Sequence, residues 1–271
     1  MHAAVLLKQI LDWELPAARF RIDPATNLPA EGLAPTLLGP FEQNALELAL
    51  QLRDAGAITK LTALLAGPAD GADSLRKALA VRADEAVHVV CAEPTVDPAV
   101  TAALLAAAVG RLEPAPGLVL AGRQAGDWDH GQVGYLLAER LGWPAVGLVW
   151  EAEPRDGRLV VRRSGAGADE QLAVRPPAVL TVTSHPTLQL RLGSVMDRMA
   201  ANKKPIVELT PDELGLAAGA LAAERRVELT RVVVPEARRD CELIEGGNAA
   251  EAAVRLLARL EELKLLPETA A

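Results

Sequence analysis

Short apolar runs alternate along the chain with longer segments that have helical periodicity. In 41–53, for example, Ala45, Leu46, Ala49 and Leu52 fall on one helical face. The apolar runs predict strands at 3–7, 58–65, 86–90, 117–121, 145–149 and 178–183. The periodic segments predict helices at 41–53, 70–80, 97–109 and 130–141. This alternation is typical of an α/β fold with a mostly parallel sheet and helices on its faces.

Three segments depart from this alternation. A turn cluster at 23–27 predicts a small hairpin or a long loop. Strands at 159–163 and 171–174 flank a Ser-Gly-Ala-Gly sequence at 164–167, which indicates a hairpin added to the sheet. No period dominates 185–204, and a connection of this length is often functional.

The end of the chain predicts an appendage to the sheet domain. Residues 227–234 have a strand-like pattern, and a Gly-Gly pair at 246–247 precedes an amphipathic helix over 249–263. The apolar stripe of that helix consists of Ala253, Leu256, Leu257 and Leu260. We therefore expect an α/β domain over 1–216 and a C-terminal arm over 217–271.

Composition narrows the classes of function. Half of the residues are hydrophobic, the net charge is −8 and aromatic residues make up 3%. This balance argues against a general nucleic-acid or anionic-membrane surface. Cys91 and Cys241 stand far apart, so neither a metal site nor a disulfide framework is indicated. The longest uncharged run, 176–190, is shorter than the ~20 apolar residues of a membrane span. The sequence predicts a soluble, cytoplasmic protein.

The segment 122–134 carries the most informative chemistry. It follows a predicted strand, is rich in glycine and leads into a helix, whose first N–H groups suit a phosphate. An ordinary strand-to-helix loop is the alternative, since neither GxGxxG nor GxxxxGK[ST] is present. Asp127 and Asp129 fit either acid–base or Mg²⁺ chemistry or, more simply, turn and cap roles. We find no catalytic constellation.

Eight sequence blocks, in order, are similar to those of one family. The blocks are Lys8-Gln9 with Asp12, Ile22-Asp23-Pro24 with Thr26, Pro40-Phe41-Glu42 with Asn44-Ala45-Leu46-Glu47, Ala66-Gly67-Pro68, Ala78-Leu79-Ala80 with Ala83-Asp84, Gly122 to Gly134, Pro177-Ala178 with Leu180-Thr181-Val182-Thr183, and Lys203-Lys204-Pro205-Ile206. The chain resembles the beta subunits of electron transfer flavoproteins, FixA-like proteins included.

The resemblance implies a fold and a function. These subunits have a Rossmann-like α/β fold with an adenine-nucleotide pocket at the strand ends. They pair with an alpha subunit that holds the redox-active FAD, and the heterodimer carries electrons from dehydrogenases to a quinone reductase or another acceptor. The beta pocket holds AMP or, in electron-bifurcating members, a second FAD. Gln132-Val133-Gly134 is similar to FixA-type members and favours FAD.

The resemblance also implies a role for individual residues. Nucleotide contacts are expected from Leu6, Lys8, Gly39, Pro40, Phe41, Glu42, Ala66, Gly122, Arg123, Gln124, Ala125, Gly126, Asp127, Trp128, Asp129, His130, Gly131, Gln132 and Val133. Trp13 would lie against the flavin of the alpha subunit. A partner dehydrogenase would dock on Arg191, Val195, Met196 and Met199, and the arm over 217–271 would embrace the alpha subunit.

Three departures from the family pattern matter. Gly39 stands where the family has Asn, Trp128 stands where Gly is common, and 194–204 diverges. A stand-alone adenine-nucleotide-binding regulatory module is the rival interpretation. A nucleotidyl-transfer enzyme is a third, but no phosphate-loop lysine or metal cluster in the sequence supports it.

Overall fold

The computed structural model describes residues 1–91, 96–234 and 241–266, and it divides the chain into two units, Met1–Val232 and Val233–Ala271. Its strands are β1 His2–Leu7, β2 Gln9–Leu11, β3 Ile22–Asp23, β4 Leu28–Pro29, β5 Thr36–Leu38, β6 Lys60–Gly67, β7 Glu85–Val90, β8 Leu118–Gly122, β9 Ala145–Arg155, β10 Arg158–Ser164, β11 Asp169–Val174, β12 Ala178–Val182 and β13 Val207–Leu209. Its α-helices are α1 Pro40–Asp54, α2 Ala72–Ala80, α3 Pro98–Val109, α4 Val133–Leu141, α5 Val195–Lys203, α6 Ala218–Glu224 and α7 Ala249–Glu262.

Within the described residues, nine strands form the main sheet of the first unit, in the order β11-β10-β9-β12-β8-β1-β6-β7-β13. The strands from β9 to β13 in this order pair in parallel, and β10 and β11 extend the edge as an antiparallel hairpin. The mostly parallel α/β fold with an added hairpin is therefore as predicted. The chain moves from β1 outward to β6 and β7, then returns to place β8 on the other side of β1. A crevice at the carboxyl ends of the strands is expected at such a reversal.

The central strand β1 is buried on both faces. Ala3, Val5 and Leu7 join a core cluster with α1 and α2, whereas Ala4 and Leu6 join one with α3 and α4. A strand between two helical layers has no solvent-facing side, which is why its sequence is a continuous apolar run.

Local sequence sets the ends of the helices beside the crevice. Pro40 begins α1, where its fixed φ suits the first helical turn, and Gly56, at φ +76°, follows the end of that helix. Asp97 caps α3 by accepting the N–H of Ala99 at 2.8 Å. The predicted helix at 130–141 begins later than expected, at Val133.

Two elements inside or beside the unpatterned stretch were not predicted. Helix α5 lies within 185–204, and Ser194 and Asp197 form a capping box at its start. Strand β13 adds to the edge of the sheet beside β7. Both elements are short and largely exposed, so hydrophobic periodicity is weak in them.

The strand predicted at 227–234 is wrong, since no residue of that described segment is in a strand. The N–H groups of Arg226 and Val227 instead donate to Asp97 at 2.5 and 2.8 Å. With α6, whose Leu221 packs on the α3 and α4 cluster, this segment extends the first unit past residue 216 to Val232. The turn at 23–27 forms a hairpin, in which β3 pairs with β4.

The second unit contains the predicted amphipathic helix, observed as α7. Asn248 caps it by accepting the N–H of Glu251 at 2.9 Å. Of the predicted domain at 1–216, residues 92–95 lie outside the described residues, as do 235–240 and 267–271 of the predicted arm. None of the helices in the described part of the chain has the length and apolar character that a membrane span requires.

Candidate functional site

A cavity opens at the reversal point of the sheet, where the carboxyl ends of β1, β6 and β8 meet. Its empty space is about 660 Å³, part of it open to solvent. The described lining residues are Leu6, Leu7, Lys8, Glu42, Ala66, Val96, Pro98, Thr101, Leu105, Ala121, Gly122, Gln124, Ala125, His130, Gly131 and Val133. Ten of the sequence-predicted residues thus line one cavity.

One side of the cavity is apolar. Leu6, Ala66 and Ala121 line it from the sheet, and Pro98 and Leu105 line it from α3. The contribution of α3 was missed by the sequence analysis. Positions 98, 101 and 105 are spaced to share one face of a helix, but this spacing is equally typical of a face buried in the core. A slot of this kind suits a flat, apolar ring.

Another part of the lining comes from the polar loop between β8 and α4. The N–H of Ala125 donates to the carbonyl of His130 at 3.1 Å, and Asp129 has a left-handed backbone at φ +54°. Gln124 donates to Asp129 at 2.7 Å. These bonds fold the loop back on itself at the edge of the cavity.

Asp127 and Asp129 are used inside this structure. Asp127 accepts the N–H of Trp128 at 2.8 Å and the ammonium group of Lys8 at 2.6 Å. Asp129 accepts from Gln124, as described above. Both carboxylates therefore have partners within this chain.

The loop leads into a helix start that is open to an anion. Gln132 is the N-cap of α4, and its side chain makes no capping hydrogen bond. The first-turn N–H groups of a helix have no partner within the helix, and they carry the positive end of its dipole. His130, Gly131 and Val133 bring this end of α4 to the cavity wall. The arrangement suits a phosphate group.

Glu42, in the first turn of α1, is the one carboxyl group among the described lining residues. It is only 6% exposed, and its Oε2 has no hydrogen-bond partner among the described residues. Burial raises its pKa to about 8, against opposing effects of its own backbone N–H and of Lys8, and Asp127 raises it further. The carboxyl is therefore largely protonated at neutral pH.

Arg123 and Phe41 form a contact behind the cavity wall. The guanidinium carbon of Arg123 lies 4.7 Å from the centre of the Phe41 ring, and its buried Nε has no partner among the described residues. The backbone N–H of Arg123 donates to the carbonyl oxygen of Val182 at 2.8 Å. Neither residue lines the cavity itself.

The other predicted nucleotide residues lie around the cavity rather than on its described lining. These residues are Gly39, Pro40, Phe41, Arg123, Gly126, Asp127, Trp128, Asp129 and Gln132. Trp128 lies with its ring 6.3 Å from that of His130. Trp13 lies away from the lining, just after β2, and is 55% exposed.

The predicted docking residues divide into two groups. Val195, Met196 and Met199 are exposed on α5, and Leu192, which the sequence analysis missed, is 96% exposed. Arg191, by contrast, pairs with Glu47 and Asp54, both at 2.8 Å. The hydrogen bonds with Glu47 raise the pKa of Arg191 above its ordinary value. Arg191 thus anchors this loop to α1.

Known proteins match most of the chain. The electron transfer flavoprotein domain matches residues 31–214. A mitochondrial electron transfer flavoprotein subunit beta of Oryza sativa subsp. indica is 34% identical over 79% of this chain and 83% of its own length. The caffeyl-CoA reductase-Etf complex subunit CarD of Acetobacterium woodii is 31% identical over 98% of this chain and all of its own length. Protein FixA of Azorhizobium caulinodans is 33% identical over 80% of this chain and 77% of its own length.

The matched relatives are electron-transfer subunits, and the matched region contains most of the cavity lining. The mostly parallel sheet with helices on its faces agrees with the Rossmann-like α/β fold that the sequence blocks imply. The chain belongs to the electron transfer flavoprotein family, as a beta subunit.

Proposed function

We propose that this chain pairs with an alpha subunit that holds the redox-active FAD, and that its own cavity binds one adenine nucleotide. The cavity carries the proposal, because it joins an apolar slot to an uncapped helix start at the reversal point of a parallel sheet. The base would occupy the slot, and phosphates would meet the N–H groups of the loop and of α4.

The nucleotide we propose is a second FAD, with AMP as the alternative. Relatives include a subunit named for a caffeyl-CoA reductase-Etf complex and proteins named FixA, and the Gln-Val-Gly sequence at 132–134 supports this group. In such a heterodimer the chain acts as an electron carrier in the cytoplasm, between dehydrogenases and a quinone reductase or another acceptor.

The test is to co-express this chain with an alpha subunit from the same genome. Denaturation of the purified heterodimer should release two FAD and no AMP. One FAD with one AMP would reject the second flavin and retain the nucleotide site. Release of no nucleotide beyond the FAD of the alpha subunit would reject the site itself, and a chain that stays monomeric would favour the regulatory module.

Two surfaces support the proposed partners. Leu192, Val195, Met196 and Met199 expose apolar side chains around α5, as a protein-docking surface does. We name this set the α5 surface. In the second unit, α7 exposes Val254, Leu256 and Leu257. We propose that the alpha subunit covers these three side chains.

Trp13 is the proposed contact with the flavin of the alpha subunit. Its exposed indole offers a large apolar face on a loop of the first unit. Trp13→Ala should shift the flavin absorbance or potential of an intact heterodimer, and an unchanged flavin would place the contact elsewhere.

A further inference from the structure

The side chain of Glu42 occupies the space that a side chain at position 39 would need. Gly39 immediately precedes α1, and a methyl group added at Gly39 would overlap Oε2 of Glu42. The φ of Gly39 is −55°, which other residues adopt readily, so backbone conformation does not require glycine here. The absence of a side chain at 39 instead leaves room for the carboxyl group of Glu42.

The carboxyl group lies at the boundary between the two sides of the cavity. Along β8, the lining changes from apolar Ala121 to Gly122, which precedes the polar loop, and along β1 it changes from Leu6 to Lys8. A Cβ at Gly122 would lie 3.2 Å from the backbone N of Glu42. Glu42 therefore lies beside the position where the lining changes from apolar to polar residues.

The unsatisfied oxygen needs a partner. A buried polar atom without a hydrogen bond costs free energy, and Oε2 of Glu42 is such an atom among the described residues. A phosphate suits only the protonated form of this carboxyl group, because it accepts hydrogen bonds and would be repelled once the carboxyl ionises. A hydroxyl group both donates and accepts, so it can bond this carboxyl in either protonation state.

We infer that Glu42 recognises the ribose hydroxyl groups of the bound nucleotide, and that Gly39 permits this by leaving the space that the carboxyl occupies. The inference rests on the proposed function, since it assumes an adenine nucleotide in this cavity. The ribose joins base to phosphate, so it must lie where apolar lining gives way to polar lining. AMP and the adenosine part of FAD share this sugar, and the inference holds for both.

The test compares AMP with 2′,3′-dideoxy-AMP on the full-length chain freed of nucleotide. Calorimetry should show that the native chain binds AMP at least tenfold more tightly than the dideoxy analogue. Glu42→Leu should weaken AMP binding by about that factor and leave binding of the analogue nearly unchanged. Glu42→Gln, which keeps a donor and an acceptor, should retain part of the discrimination.

Two further variants distinguish recognition from a general role in folding. Gly39→Ala leaves Glu42 in place but displaces its carboxyl group, so it should lose discrimination as Glu42→Leu does. Leu105→Ala, on the apolar side, should weaken both ligands by the same factor.

Two results would overturn the inference. One is equal affinity of the native chain for the two ligands, and the other is an equal loss of both in the Glu42 and Gly39 variants. Either result leaves the nucleotide site intact. If the native chain bound neither AMP nor FAD, the proposed function and this inference would both fall.

Discussion

Helices α1 and α7 have nearly the same length, 15 and 14 residues, and both carry apolar stripes, yet they are used differently. In α1, Ala45, Leu46, Leu48 and Leu52 are completely buried against the sheet. In α7 no residue is buried, and Leu257 is 52% exposed. An isolated helix of this length is marginal in water, so α7 needs a surface that α1 already has. Amphipathic pattern alone thus identifies a helix that must pack, but not what it packs on.

Removal of the second unit should have the largest effect on pairing with the alpha subunit. Deletion of 233–271 should leave the first unit folded, because its sheet and core clusters lie within Met1–Val232. The truncated chain should no longer co-purify with the alpha subunit. Circular dichroism checks folding and size exclusion checks pairing. A truncated chain that still forms a one-to-one complex would refute the assignment of α7 to the partner.

Matched substitutions in α1 and α7 should have opposite effects on stability and on pairing. Leu46→Ala in α1 should lower the free energy of unfolding by about 2–5 kcal/mol, because it leaves a cavity in the core. Leu257→Ala in α7 should change it by less than about 0.5 kcal/mol in the isolated chain. The second variant should instead weaken pairing with the alpha subunit. Urea denaturation of both variants, followed by a binding titration, makes the measurement. Equal destabilisation of the isolated chain would show that α7 packs on a surface of its own chain.

A substitution of Asp97 tests the contact between the start of α3 and the segment that follows α6. Its carboxylate accepts N–H groups of Ala99, Arg226 and Val227, so it joins the start of α3 to the segment after α6. Asp97→Ala should lower the free energy of unfolding by about 1–2 kcal/mol at pH 7. Burial acts to raise the pKa of Asp97, but the backbone hydrogen bonds outweigh it and lower the pKa below 3.8.

The direction of the pH dependence follows from that lowered pKa. A depressed carboxyl pKa contributes stability that is complete above the ordinary value of 3.8 and is lost as the pH falls through the folded value. The difference between the native chain and Asp97→Ala should therefore shrink below pH 3.8. Urea denaturation at pH 7 and at pH 3 measures it. A difference that stays constant between these pH values would contradict the role of the charge.

The smallest effect is expected at the α5 surface. Val195→Ala with Met196→Ala should leave the unfolding free energy within about 0.5 kcal/mol, because both side chains are exposed. The apparent KM for a partner dehydrogenase should rise severalfold, with unchanged flavin content. Leu48→Ala is the buried control, and it should reduce stability instead. Unaltered electron transfer in the double variant would place docking on another surface.

Part of the site could be predicted because its residues follow strands. The apolar runs and helical periods located β1, β6, β8 and α4, and parallel strands bring their carboxyl ends to one edge. The loop at 122–133 was therefore predictable as a border of the candidate site. The lining from α3 was not assigned, because Pro98 and Leu105 read equally well as core residues. Only packing shows which face of that helix borders the cavity.

The alternation of strands and helices, the added hairpin, the amphipathic α7 and the family could all be predicted, because they depend on local periodicity and on residue order. Individual contacts became known only from the folded chain. The fold placed Gly39 beside Glu42, joined the backbone of 226–227 to Asp97 where a strand had been predicted to begin, and tied Arg191 to Glu47. Each outcome joins groups through space, and the free energy of burying or pairing a polar group depends on neighbours that local pattern does not contain.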